Sequence, residues 1–416
     1  MRTGARAGAR AAVTGLGVIA ATGIGVDAFW KGTLAGARAL DLVDAAGCAG
    51  LPLRVGGAVR GFEAADAVPG HVRVQTDRFT HLALGAADLA LADAALPAAG
   101  PEAYDTGVVI AAGLGGVEFG QREIERLWSR GPRAVGPYQS IAWFYAASTG
   151  QLSIRHGYRG PCGVLAQDEA GGLDALAHAA RQLRRGTRTM LAGAAEAPFC
   201  RFSVVCQLDA PGLGLGTDPD RAYLPFTAGA DGFAPAEAGV VLVVEEGSAA
   251  EERGAVVRAL VGGHASTFTG GGDWAASREG LGRAIRGALR SARLPPEAVG
   301  VVFADALGSP AADRAEALAL ADVFGPGGGG IPVTTVKPGT GRAYCAAAAL
   351  DAVAAVLALE HGVVPPVPGL GGTRICHDLD VVTDVARAVA PRAALVLARG
   401  LAGSTTALVL LRADAA

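Results

Sequence analysis

The chain has 416 residues, of which 51% are hydrophobic and 18% are charged. This composition is too apolar for a disordered chain and is sufficient for a large packed core. The formal net charge of −3 gives no electrostatic basis for nucleic-acid binding, and no run of about 20 uninterrupted apolar residues predicts a membrane span. The six cysteines are scattered without a Cys-x-x-Cys pair, so we expect no metal site, no disulfide framework and a reducing, cytoplasmic setting.

The first predicted elements alternate between buried strands and helices. Residues 12–19 are an apolar run followed by Gly-rich turns, which predicts a strand. The spacing Gly15-x-Gly17 lacks the third glycine of a dinucleotide-binding fingerprint, so we assign none. Residues 79–95 are rich in Ala and Leu at helical spacing, and residues 107–110 form another apolar run that ends in a Gly-rich turn. This alternation indicates an α/β protein.

Three segments of the first half recur in the same order in the second half. The similar pairs are residues 107–116 with 300–309, 172–177 with 349–354, and 239–245 with 407–411. Three similarities in one order predict a duplicated architecture, with mixed, mostly parallel sheets covered by helices on both faces. We place the boundary in the charged segment 246–254, which divides the chain into an N-terminal half, 1–250, and a C-terminal half, 251–416, within one rigid unit.

Residues 163–176 have the pattern of a short buried strand, a tight polar turn and a helix that opens on small residues. Such a turn holds one side chain at a helix N-terminus, where free N–H groups and the helix dipole favour negative charge. Enzymes often place an activated cysteine there, because the same field lowers the pKa of a thiol. The residue at the apex is Glu169, whose carboxylate is a poor carrier for an acyl group.

This segment resembles the nucleophile elbow of β-ketoacyl synthases, with Glu169 where those enzymes carry a cysteine. It resembles more closely the chain-length factors, or ketosynthase β subunits, of type II polyketide synthases. Residues 170–175 match that branch without a gap, and Glu169 replaces its usual Gln; further similar segments lie within residues 118–128, 142–161 and 217–226. The resemblance implies the thiolase fold, with duplicated mixed-sheet halves in a five-layer αβαβα arrangement.

The same resemblance identifies the other catalytic positions of the family. The two His residues that polarise the malonyl thioester and stabilise the developing oxyanion are replaced by Asp305 and Arg342, whereas the family's Lys is retained as Lys337. A carboxylate at an oxyanion site repels the enolate, and an arginine cannot act as a base near neutral pH. We therefore assign no catalytic residue to this chain. We expect Lys337 to form a buried structural ion pair, with Glu169 or Asp305, that plugs the site.

The resemblance also implies an obligate heterodimer with a Cys-containing ketosynthase α subunit, which extends malonyl units on a phosphopantetheinylated acyl carrier protein. The present chain would bind no cofactor itself and would help to form the tunnel for the growing polyketide. Positions that line this tunnel in the family correspond to Ile110, Gly113 and Val117, and Leu401 stands where the family has a gating Phe. Because a bulky side chain blocks the tunnel, Val117 at an often aromatic position predicts a deeper tunnel at that level.

Several alternatives stay open on the sequence alone. One is a priming subunit in which Glu169 decarboxylates malonyl-acyl carrier protein, although an ionised Glu would repel the malonyl carboxylate. Another is an acyltransferase with a relocated nucleophile at Cys162 or Cys345. A third is a structural partner without a tunnel, in which the proposed tunnel positions are ordinary core residues. The basic run in residues 181–188 is either a docking site for an acidic carrier protein or the solvated end of a helix.

Overall fold

The computed structural model describes residues 10–43, 48–96 and 103–414, and of Ala275 it describes only the backbone. Residues 1–9 and 415–416, which belong to the two predicted halves, lie outside the described residues. Across the described ranges, no helix is both long and apolar enough to cross a membrane.

The strands and helices alternate along the chain as predicted. The strands are Ala11–Ala20 (β1), Gly23–Ile24 (β2), Asp41–Leu42 (β3), Val55–Gly56 (β4), Thr106–Ala112 (β5), Cys162–Ala166 (β6), Thr189–Glu196 (β7), Ala238–Glu246 (β8), Ala259–Phe268 (β9), Val301–Phe303 (β10), Val333–Thr334 (β11), Val363–Val364 (β12), Arg387–Ala388 (β13), Ala393–Arg399 (β14) and Ser404–Arg412 (β15). The helices are Val26–Leu34 (α1), Ala64–Ala67 (α2), Gly70–Arg73 (α3), Arg78–Asp93 (α4), Val117–Arg130 (α5), Gln139–Ala142 (α6), Ala147–His156 (α7), Gly171–Arg184 (α8), Arg201–Gln207 (α9), Gly247–Glu252 (α10), Trp274–Ala292 (α11), Pro310–Phe324 (α12), Lys337–Thr340 (α13) and Cys345–His361 (α14).

The sheet order shows the duplication directly. From the edge inward, the first half contributes β6-β5-β7-β8-β1 and the second half contributes β11-β10-β14-β15-β9, so each strand has a counterpart at the same place. The halves join through an antiparallel pair between β1 and β9, with Ala11 opposite Val261 and Val13 opposite Ala259. The boundary at residue 250 falls inside α10, between β8 and β9, and it stays a prediction, as does the single rigid unit.

The sheet is mixed, as predicted, but the expectation that it is mostly parallel is wrong. Parallel pairing joins β5 to β6 and β7, and β10 to β11 and β14. The pairs β7–β8, β8–β1, β1–β9, β9–β15 and β15–β14 are antiparallel. Only the short turn 400–403 joins β14 to β15, and so short a connection permits only an antiparallel pair. The apolar runs in the sequence predicted the positions of the strands but carried no information about the direction of each strand relative to its neighbour.

The helices form the layers of the thiolase-like fold. α4 and α7 cover the outer face of the first half, and α11 and α12 cover that of the second. α8 and α14 pack against each other and against strands of both halves, so they form the central layer. All residues of α14 from Cys345 to Leu359 are buried, which explains why this helix is built almost entirely from Ala, Val and Leu.

The N-termini of the two central helices approach each other closely. A Cβ atom on Gly172 would lie 2.3 Å from the Cys345 carbonyl oxygen, so only glycine fits at this position of α8. The turn before α8 carries Glu169, and the segment before α14 carries Arg342. This packing therefore brings the elbow of the first half to the degenerate positions of the second.

Candidate functional site

The elbow turn between β6 and α8 is held by a loop of the other half. Glu169 is 5% exposed, and its Oε2 atom accepts a hydrogen bond from the Leu401 N–H at 2.8 Å. Burial raises the pKa of Glu169, and the charge of the Arg342 guanidinium opposes that shift. The neighbouring Asp168 carboxylate accepts a hydrogen bond from the Ser404 hydroxyl. The apex residue is thus a buried carboxyl group fixed by the turn between β14 and β15.

Asp305 and Arg342, which we predict to replace the two catalytic histidines, belong to one buried ionic network. The Arg342 Nη2 atom lies 2.9 Å from the Asp305 Oδ1 atom, and the Arg399 Nε atom lies 3.0 Å from Asp305 Oδ2. The Arg399 Nη2 atom in turn lies 2.9 Å from Glu316 Oε2. Arg342 also donates to the Arg399 carbonyl oxygen at 2.7 Å. Two carboxylates and two guanidinium groups, all buried, thus form one ionic network that includes both predicted histidine replacements.

The charges of this network are matched, which is the condition for keeping them away from water. Burial alone would raise the pKa of Asp305, but the charges of Arg342 and Arg399 dominate and lower that pKa to about 2. Asp305 therefore stays ionised at any physiological pH, and Arg342 stays protonated. Neither group can exchange a proton with a substrate, so the network is structural.

Lys337 forms a buried structural pair, but the predicted partner is wrong. Its Nζ atom pairs with the Asp351 carboxylate and also donates to the Ala304 carbonyl oxygen at 2.8 Å. Neither Glu169 nor Asp305 is its salt-bridge partner, because Asp351 of α14 lies at the start of α13, where it also accepts a hydrogen bond from the Val336 N–H at 2.9 Å. Lys337 is 1% exposed and therefore depends on this contact to compensate its charge.

Asp351 has a counterpart in the first half that the sequence repeat already indicated. Residues 172–177 and 349–354 align Asp174 of α8 with Asp351 of α14. The Asp174 Oδ1 atom accepts from the Ser266 hydroxyl at 2.6 Å and lies 2.6 Å from the His264 Nε2 atom. Each central helix thus carries one acidic anchor for the surrounding strands, and this repeated Asp was the available signal for the partner of Lys337.

A cavity of about 470 Å³ opens beside the elbow. Its lining includes Gly113, Tyr145, Gln167, Glu169, Tyr344 and Leu401. The Tyr344 side chain is 6% exposed, and its hydroxyl has no hydrogen-bond partner within the described residues. Tyr344 also has a φ of 46° and a ψ of −123°, a strained backbone for a residue with a side chain. The sequence did not predict Tyr344 as a site residue. Neither its backbone angles nor the cavity that it lines can be inferred from the neighbouring residues in the sequence.

The predicted tunnel positions separate into two groups. Gly113 lines the elbow cavity, as does Leu401 at the predicted gating position. Ile110 is fully buried in a packed cluster with Leu84, and Val117 begins α5 at 7% exposure; neither lines that cavity. Ile110, Gly113 and Val117 lie close together in sequence, between the last residues of β5 and the first residue of α5. Their role in a tunnel stays a prediction.

The two cysteines considered as relocated nucleophiles differ in their surroundings. Cys345 is buried beside the elbow, where its Sγ atom donates to the carbonyl oxygens of Gln167 at 3.2 Å and Asp168 at 3.1 Å. Burial raises the pKa of the Cys345 thiol well above its usual range, so it remains a poor nucleophile. Cys162 is exposed at the start of β6, outside the lining of the elbow cavity.

The basic run 181–188 lies at the C-terminal end of α8. Arg181, Arg184 and Arg185 are exposed there, and Arg188 pairs with Glu252. Cations at this end of a helix interact favourably with its dipole. The position at a solvated helix end is sufficient to explain the basic run, and no binding partner has to be assumed. The alternative, a docking site for an acidic carrier protein, stays a prediction.

The duplicated sheet, the elbow and the network at the second-half strand ends define a thiolase-like condensing-enzyme fold. Two family models match the chain, the N-terminal domain of β-ketoacyl synthases over residues 9–250 and the C-terminal domain over residues 258–370. The chain therefore belongs to the β-ketoacyl synthase family. Within this family the prediction of the ketosynthase β, or chain-length factor, branch is confirmed by its relatives.

Two curated relatives are informative. A protein of Streptomyces coelicolor classed as polyketide beta-ketoacyl synthase 2 is 62% identical over 99% of this chain and 97% of its own length. The tetracenomycin polyketide synthase ketoacyl synthase beta subunit of Streptomyces glaucescens is 49% identical, over 96% of this chain and 98% of its own length.

Solved structures agree with the predicted fold. A ketosynthase of a type II polyketide synthase, bound to a hexaketide and in complex with its acyl-carrier protein (AntDE:AntF), matches with a TM-score of 0.88 and 27% identity, over 98% of this chain and 100% of that one. The ishigamide ketosynthase/chain length factor matches with a TM-score of 0.87 and 25% identity over the same shares. The five-layer thiolase-like fold is thereby confirmed.

Proposed function

We propose that this chain is the non-catalytic subunit of a type II polyketide synthase, which pairs with a Cys-containing ketosynthase α and limits the length of the polyketide made on acyl carrier protein. The observation that carries the proposal is the state of the three catalytic positions. Glu169 replaces the nucleophile, and Asp305 and Arg342 neutralise each other in a buried network. A chain without thiolate, base or oxyanion donor cannot condense acyl groups by itself.

The partner's docking face is supported by an unpaired sheet edge. Within the described strands, β6 pairs with β5 on one side only, and its residues are partly to fully exposed. An exposed edge strand invites pairing with a strand of another chain. We infer that β6 pairs with the equivalent strand of the ketosynthase α.

Exposed apolar side chains are concentrated in the same half of the chain, and one of the helices that carry them, α7, packs against β6. They lie on α5, α6, α7 and α9 and in the segments between them: Ile124, Leu127, Trp128, Tyr138, Ile141, Trp143, Phe144, Ile154, Phe202 and Val205. Trp128, for example, is 82% exposed. A concentration of aromatic and aliphatic groups of this kind is typical of an obligate protein interface rather than of a monomer's surface. Both features support a heterodimer through this face.

The length-limiting role rests on the elements next to that face. Ile110, Gly113 and Val117 lie where β5 ends and α5 begins, and Gly113 lines the elbow cavity with Leu401. A chain that grows from the partner's cysteine across the interface would reach this region first. The volume left by these side chains would then decide how many two-carbon units fit. The phosphopantetheine arm belongs to the carrier protein, so the present chain needs no cofactor of its own.

A second candidate function is decarboxylation of malonyl-acyl carrier protein by Glu169 to start chains. The observation that favours it is that burial raises the pKa of Glu169, so a protonated carboxyl would not repel the malonyl group. Against it, the Leu401 N–H donates to this carboxyl group and stabilises its ionised form. We therefore rank the length-limiting role first.

The test is co-expression with the neighbouring ketosynthase, followed by size-exclusion mass and product analysis with malonyl-loaded carrier protein. A one-to-one complex that makes polyketide only when the ketosynthase cysteine is intact supports the proposal. Glu169→Gln and Glu169→Ala then separate the two candidate functions: unchanged chain initiation supports the length-limiting role, whereas loss of initiation supports the decarboxylase. Condensation by this chain alone would overturn the first proposal.

A further inference from the structure

A second cavity, of about 720 Å³, lies outside the degenerate site. It is located between α3, α4, α6 and α7, and its walls are mainly apolar. Among the lining residues are Val72, Leu84, Ile141, Ala147 and Ile154. Its open side includes the exposed side chains of Ile141 and Ile154, which belong to the face assigned above to the partner subunit. Docking of the partner would therefore close this cavity into a chamber.

One short segment forms part of the wall of both cavities. Tyr145 lines the elbow cavity, whereas its neighbours Phe144, Ala146 and Ala147 line the second cavity. The rings of Phe144 and Tyr145 contact each other edge to face, with centroids 6.5 Å apart and an interplanar angle of 63°. Two adjacent residues whose rings are in contact thus line different cavities.

The Tyr145 ring is fixed by the turn that follows β5. A Cβ atom on Gly115 would lie 3.2 Å from two ring carbons of Tyr145, and Gly115 has a φ of 69°, so glycine is required here on both counts. This turn connects Gly113, which lines the elbow cavity, to Val117 at the start of α5. The ring therefore packs against the same turn that carries the predicted tunnel positions.

The second cavity also borders the core around Ile110. Leu84 and Ala147, which line this cavity, belong to one packed cluster with Ile110, and Tyr145 packs against that cluster. Phe144 and Tyr145 are therefore adjacent aromatic residues that line one cavity each, and the Trp143 ring also packs against Tyr145, with centroids 6.3 Å apart.

We propose that the Phe144–Tyr145 ring pair is the partition that ends the polyketide tunnel in this subunit, and that the cavity behind it is a latent chamber for the end of the acyl chain remote from its thioester. The inference rests on the proposed function and identifies a further specificity-determining element of the same tunnel. The apolar walls suit the methyl end of the chain, and the amides of Gln75 and Gln151 on the lining can donate to keto oxygens.

The test uses the complex with its ketosynthase and malonyl-loaded carrier protein, with product lengths read by mass spectrometry. Tyr145→Ala and Phe144→Ala should each allow at least one further two-carbon unit, and the ratio of longer to wild-type products should increase on the order of ten-fold, the factor expected for burying two more methylene-sized groups. Tyr145→Phe keeps the ring and should leave product lengths unchanged. Phe268→Ala is the matched control, because it removes an exposed ring from β9 of the other half, outside the face assigned to the partner, and Phe268 lines neither cavity.

The outcomes separate this inference from the proposed function. Longer products from Tyr145→Ala in an intact complex, with Tyr145→Phe and Phe268→Ala unchanged, support the partition. Unchanged lengths from both Tyr145→Ala and Phe144→Ala, in a complex whose products still respond to Val117→Phe, overturn the partition and leave the length-limiting role in place. If no substitution on this list alters product length, the proposed function itself fails. Should Tyr145→Ala not form a complex, Tyr145→Leu, which also removes the ring, replaces it.

Discussion

The guanidinium of Arg342 lies 2.9 Å from the carboxylate of Asp305, and these are the two residues that we predict to replace the catalytic histidines of the family. Two residues that would each abolish catalysis therefore compensate each other's charge. Replacing Asp305 would leave the buried Arg342 without its carboxylate, and replacing Arg342 would leave Asp305 with Arg399 as its remaining cation. This contact explains how an inactivated site can remain stably folded.

The first prediction concerns this pair. Arg342→Ala leaves Asp305 buried beside only one of its two guanidinium partners, and removing one member of a buried ion pair typically costs about 3–5 kcal/mol. We expect a loss of that order in the free energy of unfolding, measured by urea titration. Arg278→Ala, which breaks the exposed pair with Asp322, is the control and should cost far less. Equal losses for the two variants would show that the buried network is not what stabilises this site.

A second prediction addresses Lys337 and Asp351. Lys337→Met should destabilise the chain strongly because it leaves the Asp351 carboxylate buried without its cation. The double variant Lys337→Met with Asp351→Leu removes both charges and should recover a large part of that loss. A double-mutant cycle of unfolding free energies measures the coupling. Simple additivity of the two losses would contradict the assignment of Asp351 as the partner.

The third prediction is a pH dependence of stability. Burial raises the pKa of Glu196 from 4.5 to about 7, although the backbone N–H groups of Gly113 and Leu114 donate to it. The folded chain therefore holds a proton that the unfolded chain releases between these two values, so stability should fall as the pH rises from about 4.5 to 7 and level off above. Glu196→Gln should flatten that part of the profile, as measured by thermal unfolding between pH 4 and 8. An unchanged slope in the variant would refute the shift.

The fourth prediction concerns tunnel depth. Val117→Phe places a ring at the first position of α5, next to the turn that carries Gly113, and should shorten the polyketide by at least one two-carbon unit. Product masses from the complex with its ketosynthase give the answer. Val385→Phe, at an exposed position far from the elbow in sequence, is the control and should change nothing. Products of wild-type length from Val117→Phe would remove Val117 from the tunnel.

Local patterns carried much of the prediction. Each motif is a continuous segment of the sequence and could be recognised without coordinates. This holds for the elbow at residues 163–176, for the segments that contain the three degenerate positions and for the repeated segments. The duplicated thiolase-like fold and the family followed from them and are confirmed. Strand direction was predicted wrongly, because an apolar run has the same composition in a parallel and an antiparallel pair.

The sequence by itself determined the family and predicted that the nucleophile and both histidines are replaced, since each replacement is a change of residue type at a recognisable motif. Only the tertiary structure decided which charges compensate one another. Arg399 and Glu316 join the network across 94 and 83 positions of chain from their partners, and Lys337 pairs with Asp351 instead of the two carboxylates named beforehand. The proposed partition by Phe144 and Tyr145 likewise rests on which cavity each residue lines. A short motif fixes the residue types at a site. Which buried charges pair, and how the internal volume is divided into cavities, depend on packing between elements that are distant in sequence.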